Sequence, residues 1–168
     1  MSRLRLHPAD TPADRGVLAA LAHRIWYQHY PGIISLAQIE YMLERGYSDT
    51  ALADQQRSGT RLMLAWLDNR ACGFAATTPA GEAAWLDKLY VLETTRGTGM
   101  GRALVADAID HARHHGCQTL RLRVNRNNHD ALAAYHRLGF VIETADVKAI
   151  GNGFVMDDYV MRRHLPGP

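Results

Sequence analysis

Arg3-Leu4-Arg5-Leu6 alternates basic and apolar residues with a period of two, which predicts a short first strand. Pro8-Ala9-Asp10-Thr11-Pro12 then turns the chain, with Asp10 or Thr11 placed to cap a helix over residues 13–29. Pro31-Gly32 breaks that helix. A second should start near Ser35, carry Ile39, Met42 and Leu43 on one face and end near Gly46. Ser48 can cap a third, short helix as far as Gln56, stopped by Ser58-Gly59. Residues 62–67 and 73–78 are apolar runs of strand length around a turn at Asp68-Asn69-Arg70, which predicts an antiparallel pair.

The second half of the chain has a different texture. Leu86, Leu89, Tyr90 and Val91 form a strand-like run that passes through Glu93-Thr94-Thr95 into Arg96-Gly97-Thr98-Gly99-Met100-Gly101-Arg102. A helix over 99–115 follows, with Ala103, Leu104, Ala106 or Asp107, Ala108, Ile109 and Ala112 at helical spacing and Gly116 as its stop. In residues 119–124, Leu120, Leu122 and Val124 alternate with Arg121 and Arg123, so strand, helix and strand make a right-handed parallel crossover. Another helical segment leads to Gly139-Phe140. Strands over 140–145 and 153–161, joined at Gly151-Asn152-Gly153, end in a loose tail at 165–168.

A glycine-rich turn between a strand and a helix is an anion site. Glycines admit dihedrals closed to other residues, and the first helical turn has unpaired N–H groups at the positive end of its dipole. A P-loop needs Lys and then Ser or Thr after its last glycine, but Gly101 is followed by Arg102-Ala103. A dinucleotide fingerprint needs glycine three residues after its second, and that residue is Arg102. What remains, Arg96-Gly97-Thr98-Gly99-Met100-Gly101, resembles the R/Q-x-x-G-x-G/A pyrophosphate motif of the GNAT superfamily of N-acetyltransferases. Residues 128–140 resemble that family's second signature, N-x-x-A-x-x-x-Y-x-x-x-G-F, at the spacing the family shows.

The resemblance implies an α/β GNAT fold, a mixed and mostly antiparallel central sheet flanked by helices, whose splayed parallel strand pair holds acyl-CoA. Acetyl-CoA would be the co-substrate. Leu89, Tyr90 and Val91 would offer backbone groups to the pantetheine arm, and Gly97, Thr98, Gly99, Met100 and Gly101 would hold the pyrophosphate, with charge from Arg96 and Arg102. Asn128 matches the family asparagine that bonds cofactor or local backbone. Tyr135 matches the tyrosine that protonates the departing thiolate. Many relatives carry a Glu on the strand before the glycine turn; this chain has Trp85 there. Asp87, two residues on and on the same strand face, is the candidate general base, directly or through a water, against a structural pairing with Lys88 or Arg123. Trp26, His29, Tyr30 and Trp85 are candidate acceptor-side residues, with core stapling as the alternative for the helix-end aromatics. The C-terminal run and residues 30–43 are similar to the polyamine and diamine acetyltransferases. Asp157, Asp158, Glu40 and Glu44 can attract a cationic acceptor, or simply face water.

Composition narrows the rest. The 168 residues, 47% of them hydrophobic, suit one domain over residues 1–168, and no linker composition or repeat divides them. A net charge of +2 gives no argument for nucleic acid. No apolar run is long enough to span a bilayer and MSRLRLHPAD has no signal-like stretch, so a cytoplasmic protein is expected. Cys72 and Cys117 form no metal or disulfide pattern and have no motif-matched His, which disfavours an acyl-enzyme. His111, His114 and His115 near a helix end read as a solvated, protonated cluster with no metal. The expected activity is direct acetyl transfer to a primary amine such as a polyamine. The other readings are a CoA-binding sensor without turnover, an N-terminal or lysine acetyltransferase, or an enzyme with an antibiotic acceptor. A homodimer through an exposed sheet edge is open.

Overall fold

In the computed structural model, which describes residues 1–167, the chain runs β1 (Leu4–Pro8), α1 (Pro12–His29), α2 (Leu36–Tyr47), α3 (Asp49–Arg57), β2 (Arg61–Leu67), β3 (Arg70–Ala80) and β4 (Ala83–Val91). A 3₁₀ turn at Glu93–Thr95 precedes α4 (Met100–His114), β5 (Thr119–Asn125), α5 (His129–Arg137), β6 (Val141–Gly151) and β7 (Phe154–His164). The strands form one seven-stranded sheet in the order β1-β2-β3-β4-β5-β7-β6. Every neighbouring pair is antiparallel except β4 with β5.

Local chemistry explains the element ends. Thr11 caps α1 in a capping box with Asp14, and Pro12 stands where a missing N–H costs nothing. Leu18, Leu21, Ala22, Ile25 and Trp26 are buried, the i, i+3, i+4 rhythm of one helix face. Ser35 and Ser48 cap α2 and α3. On α2, Ile39 and Leu43 are buried but Met42 is only half-buried, because it borders a cleft. On α4 the buried face is Met100, Leu104, Val105, Ala108 and Ala112. Ala106, one of two residues expected there, is exposed, and Val105 takes the inner position.

The buried apolar residues, Val160 excepted, form one cluster spanning the sheet and the helices laid on it. Gly73 of β3 is its tightest point, since a Cβ there would meet Met100 Sδ at 2.9 Å and the Tyr90 carbonyl oxygen at 3.0 Å. β6 is the outer strand, with Val141, Ile142 and Val147 exposed. Its hairpin with β7 turns at Asn152 and Gly153, both at positive φ. α2 holds the tip, through Tyr41 Oη donating to the Ile150 carbonyl at 2.7 Å and Gln38 Nε2 donating to the Val155 carbonyl at 3.0 Å. The chain end is not loose where it is described. Leu165 is buried and its N–H bonds the Gln118 carbonyl at 2.9 Å, while Pro168 lies outside the described residues. Among the described residues no helix is long and apolar enough to cross a membrane.

Candidate active site

The parallel pairing of β4 and β5 lasts for only three residues on each strand, Ala83–Trp85 against Thr119–Arg121. Beyond that point β4 stays paired with β3 as far as Val91 and β5 with β7 as far as Asn125, so the two strands part. Their facing edges keep backbone groups with no partner in the sheet. A cleft of about 1390 Å³ opens there, walled by β4, β5, α5, the ends of α1 and α2, and the glycine turn.

Gly97 (φ +80°) and Gly99 (φ +86°) are left-handed, and Gly99 is the N-cap of α4 without any side-chain capping bond. A Cβ on either would meet nothing within 4 Å, so the conformation requires glycine and the space in front stays open. Arg96 and Arg102 are exposed beside the turn and border the cleft. Met100 contributes its backbone alone, because its side chain is 1% exposed and points into the core. Thr98 turns away, its hydroxyl donating to the Thr95 carbonyl at 2.6 Å, and is the one residue of the expected cofactor set that does not line the cleft.

Tyr135 is half-buried on α5 and packs edge-on against Phe140, with ring centroids 6.0 Å apart. Burial, and then the neighbouring Tyr30, raise its hydroxyl pKa far above the ordinary tyrosine value, so it holds its proton. Asn128 caps α5, its side-chain oxygen accepting from Ala131 N at 3.4 Å and from His29 Nε2 at 3.0 Å. Its oxygen thus meets the local backbone, one of the two partners read from the sequence, and the His29 side chain as well. Tyr30 Oη lies 2.9 Å from Tyr90 Oη, and burial pushes Tyr30 up to about 12. Trp26, Tyr30 and Tyr90 stack within 4.4–6.3 Å of one another. Trp26 is a core residue at 4% exposure that also borders the cleft, so stapling and lining are both true of it.

Trp85 and Asp87 both line the cleft, but simple alternation does not relate them. The β3–β4 register shifts so that Ala76 faces Lys88 and Thr77 faces Leu86, leaving Asp87 as the extra residue of a bulge. Neither expected pairing of Asp87 forms an ion pair; its carboxylate accepts from Thr78 Oγ1 at 2.6 Å. Desolvation raises its pKa, countered by that bond and by the charge of Lys88, although the side chain keeps contact with water. Arg123 instead lies 5.5 Å above the Trp85 ring and pairs with Asp146 of β6.

Asp158, on β7, is the site residue the motifs did not isolate. It is 1% exposed and lines the cleft, whereas Asp157 faces Arg126 at 3.2 Å, and Glu40 and Glu44 border a separate shallow depression. The signal was present in the strand rhythm: Met156, Asp158 and Val160 share a face, so one acid of the Asp-Asp pair falls in an otherwise apolar row. Gln38, Met42 and Lys148 also reach the cleft, from α2 and β6, and carry no sequence signature.

Among the described residues no three His, Cys, Asp or Glu side chains are grouped to hold a metal. Within the helix-end trio, desolvation, then Arg61 and His115, lower the pKa of His111, against the direction expected at a helix end.

A sequence profile of the acetyltransferase (GNAT) family matches residues 23–140, more than half of the chain and both signatures. The chain belongs to the GNAT family. Among GNAT relatives, the mycothiol acetyltransferase of Thermobispora bispora is 35% identical over 151 residues, covering 86% of this chain and 48% of that protein. An uncharacterized N-acetyltransferase of Mycobacterium tuberculosis is 29% identical over 154 residues, covering 90% of this chain and 98% of the relative. The chain spans less than half the length of the mycothiol acetyltransferases it matches. In structure it is similar to the PaiA N-acetyltransferase of Thermoplasma acidophilum, solved in complex with coenzyme A. That likeness has a TM-score of 0.83 at 24% identity, over 96% of this chain and 99% of the other, and it is a likeness of GNAT fold.

Proposed function

We propose that the protein is an acetyl-CoA-dependent N-acetyltransferase that moves the acetyl group to a small primary amine by direct attack in a ternary complex. The observation that carries this reading is the parting of β4 from β5 in front of the glycine turn, with Tyr135 on the wall of the same cleft. In this reading the unpaired backbone edge at Leu89–Val91 receives the pantetheine amides. The amides of Gly97–Arg102 hold the pyrophosphate, with Arg96 and Arg102 adding charge. Tyr135, fully protonated at neutral pH, gives its proton to the thiolate as the C–S bond breaks. Asp87, or a water it holds, accepts a proton from the amine side. Trp26, His29, Tyr30 and Trp85 shape the acceptor end.

Direct transfer is supported by the cysteines, since Cys72 and Cys117 are both buried and neither borders the cleft. A polyamine acceptor fits the carboxylates and aromatic rings at the acceptor end. Two buried free thiols suit a reducing, cytoplasmic setting, and the exposed outer edge of β6 offers a second copy a surface for a homodimer.

The test is acetyl-CoA consumption with thiol release against spermidine, putrescine, glucosamine, an aminoglycoside, amino acids and an alanyl peptide, with CoA binding measured by calorimetry. Turnover on an amine is the expected result, and absence of CoA binding overturns the reading. Tight CoA binding without turnover on any amine would favour a CoA sensor, for which Trp85 in place of the usual acid is the supporting observation.

A further inference from the structure

Among the described residues Asp158 is the one Asp or Glu that is buried as a whole residue. Asp158 Oδ2 is inaccessible to solvent and takes no hydrogen bond from any described residue. A buried carboxylate left in this way is costly, and proteins answer by pairing it, protonating it or reserving it for a ligand. The charged and titratable groups that face it are Arg123 of β5, Asp146 of β6, Asp157 beside it on β7 and Tyr30 of α1. Arg123 is engaged by Asp146 and makes no hydrogen bond or ion pair to Asp158. Burial, reinforced by the two acids and opposed by Arg123, brings Asp158 up to about 6. Asp87, the other carboxylate of the cleft, already has a partner in Thr78.

We propose that Asp158 is the acceptor-amine site: the substrate's ammonium group binds to its carboxylate from the cleft, beside Tyr30, and gives it the first proton. This rests on the acetyltransfer reading and names its acceptor subsite. Ring faces near a bound ammonium add cation–π attraction, which selects a primary ammonium over a neutral alcohol of the same shape. The neutral amine nitrogen then forms the C–N bond to the acetyl carbonyl. The nitrogen's second proton leaves to the water at Asp87, the C–S bond breaks with its electron pair on sulfur, and Tyr135 protonates that sulfur. Tyr135 regains a proton from solvent, and Asp158 releases its own when the amide departs.

The experiment compares wild type, Asp158→Asn and Asp87→Asn on the amine of the panel above that the wild type acetylates fastest, between pH 5 and 9. For Asp158→Asn the expected result is a kcat/KM for the amine lowered about 100-fold. The acid limb near pH 6 should vanish, while the KM for acetyl-CoA and CoA binding stay at wild-type values. Asp87→Asn should keep that limb. Equal pH profiles for Asp158→Asn and wild type overturn this inference alone, whereas wild-type protein inactive on every amine overturns the acetyltransfer reading and this inference with it. A second readout needs no variant activity. In wild-type protein with ¹³C-labelled aspartate and bound CoA, one carboxyl titrating near pH 6 should move to lower pH on saturation with the amine, and a midpoint that does not move overturns the proposal.

Discussion

His29 at the end of α1 donates from Nε2 to the side-chain oxygen of Asn128 at 3.0 Å, joining two residues 99 positions apart across the cleft. The same oxygen caps α5, the helix that carries Tyr135, so the bond links the end of α1 to the support of Tyr135. Because that oxygen can only accept, the imidazole must carry its proton on Nε2.

Asn128→Ala removes both the cap and the cross-cleft bond. Loss of the cap alone costs about 1 kcal/mol. Thermal unfolding should show a fall in Tm, and turnover should drop further than CoA affinity because Tyr135 rides on the loosened helix. Asn128→Asp keeps an acceptor at the cap and should recover most of the stability.

Tyr135→Phe leaves the edge-on packing with Phe140 in place and deletes only the transferable proton. Turnover should fall by about 10²–10³-fold, with the CoA dissociation constant within twofold of wild type by calorimetry. Unchanged turnover would remove Tyr135 from the reaction.

Gly99→Val acts on the left-handed N-cap of α4. The protein has room for the side chain, so the damage comes from the positive φ, at about 1–2 kcal/mol, and from occupying open space in front of the helix amides. CoA binding should be lost while the circular dichroism spectrum stays that of a folded protein. Retained affinity would move the pyrophosphate elsewhere.

Asp158→Asn should stabilise the fold while impairing activity. Asp158 has its pKa raised to about 6 from 3.8, so the folded state binds a proton that the unfolded state releases between those values. Wild-type stability from this group is therefore present below about pH 4 and lost as pH rises through 6. The Asn variant should be more stable by about 1–2 kcal/mol at pH 8, with the gain disappearing towards pH 4. Denaturant melts at both pH values read this directly.

Much of the fold was legible because hydroxyl residues and glycines punctuate the chain: Thr11, Ser35 and Ser48 and the stop at Gly116 fall where helices begin or end. The glycine turn beside the cleft was legible for a related reason, being built from consecutive residues whose spacing is itself the motif. The rest of the cleft was not, because it is assembled from α1, α2, β4, β6 and β7. Asp87 depended on a bulge that shifts strand register, which arises from pairing with β3 and leaves no mark in β4 itself. Asp158 showed only as one of four acids able to attract a cationic acceptor, and its lack of a partner depends on Arg123 pairing with Asp146.

The three-residue seam between β4 and β5 leaves the sheet unfinished in its middle, where other proteins would be most rigid. An elongated molecule with amide groups spaced like those of a peptide can zip into that opening and act as a borrowed eighth strand. Such a guest would be a building element as well as a reactant: its arrival would fasten the two halves of the sheet together, and its departure after reaction would loosen them. Resistance to heat and to proteolysis should then follow the acyl carrier's concentration, even with no amine present.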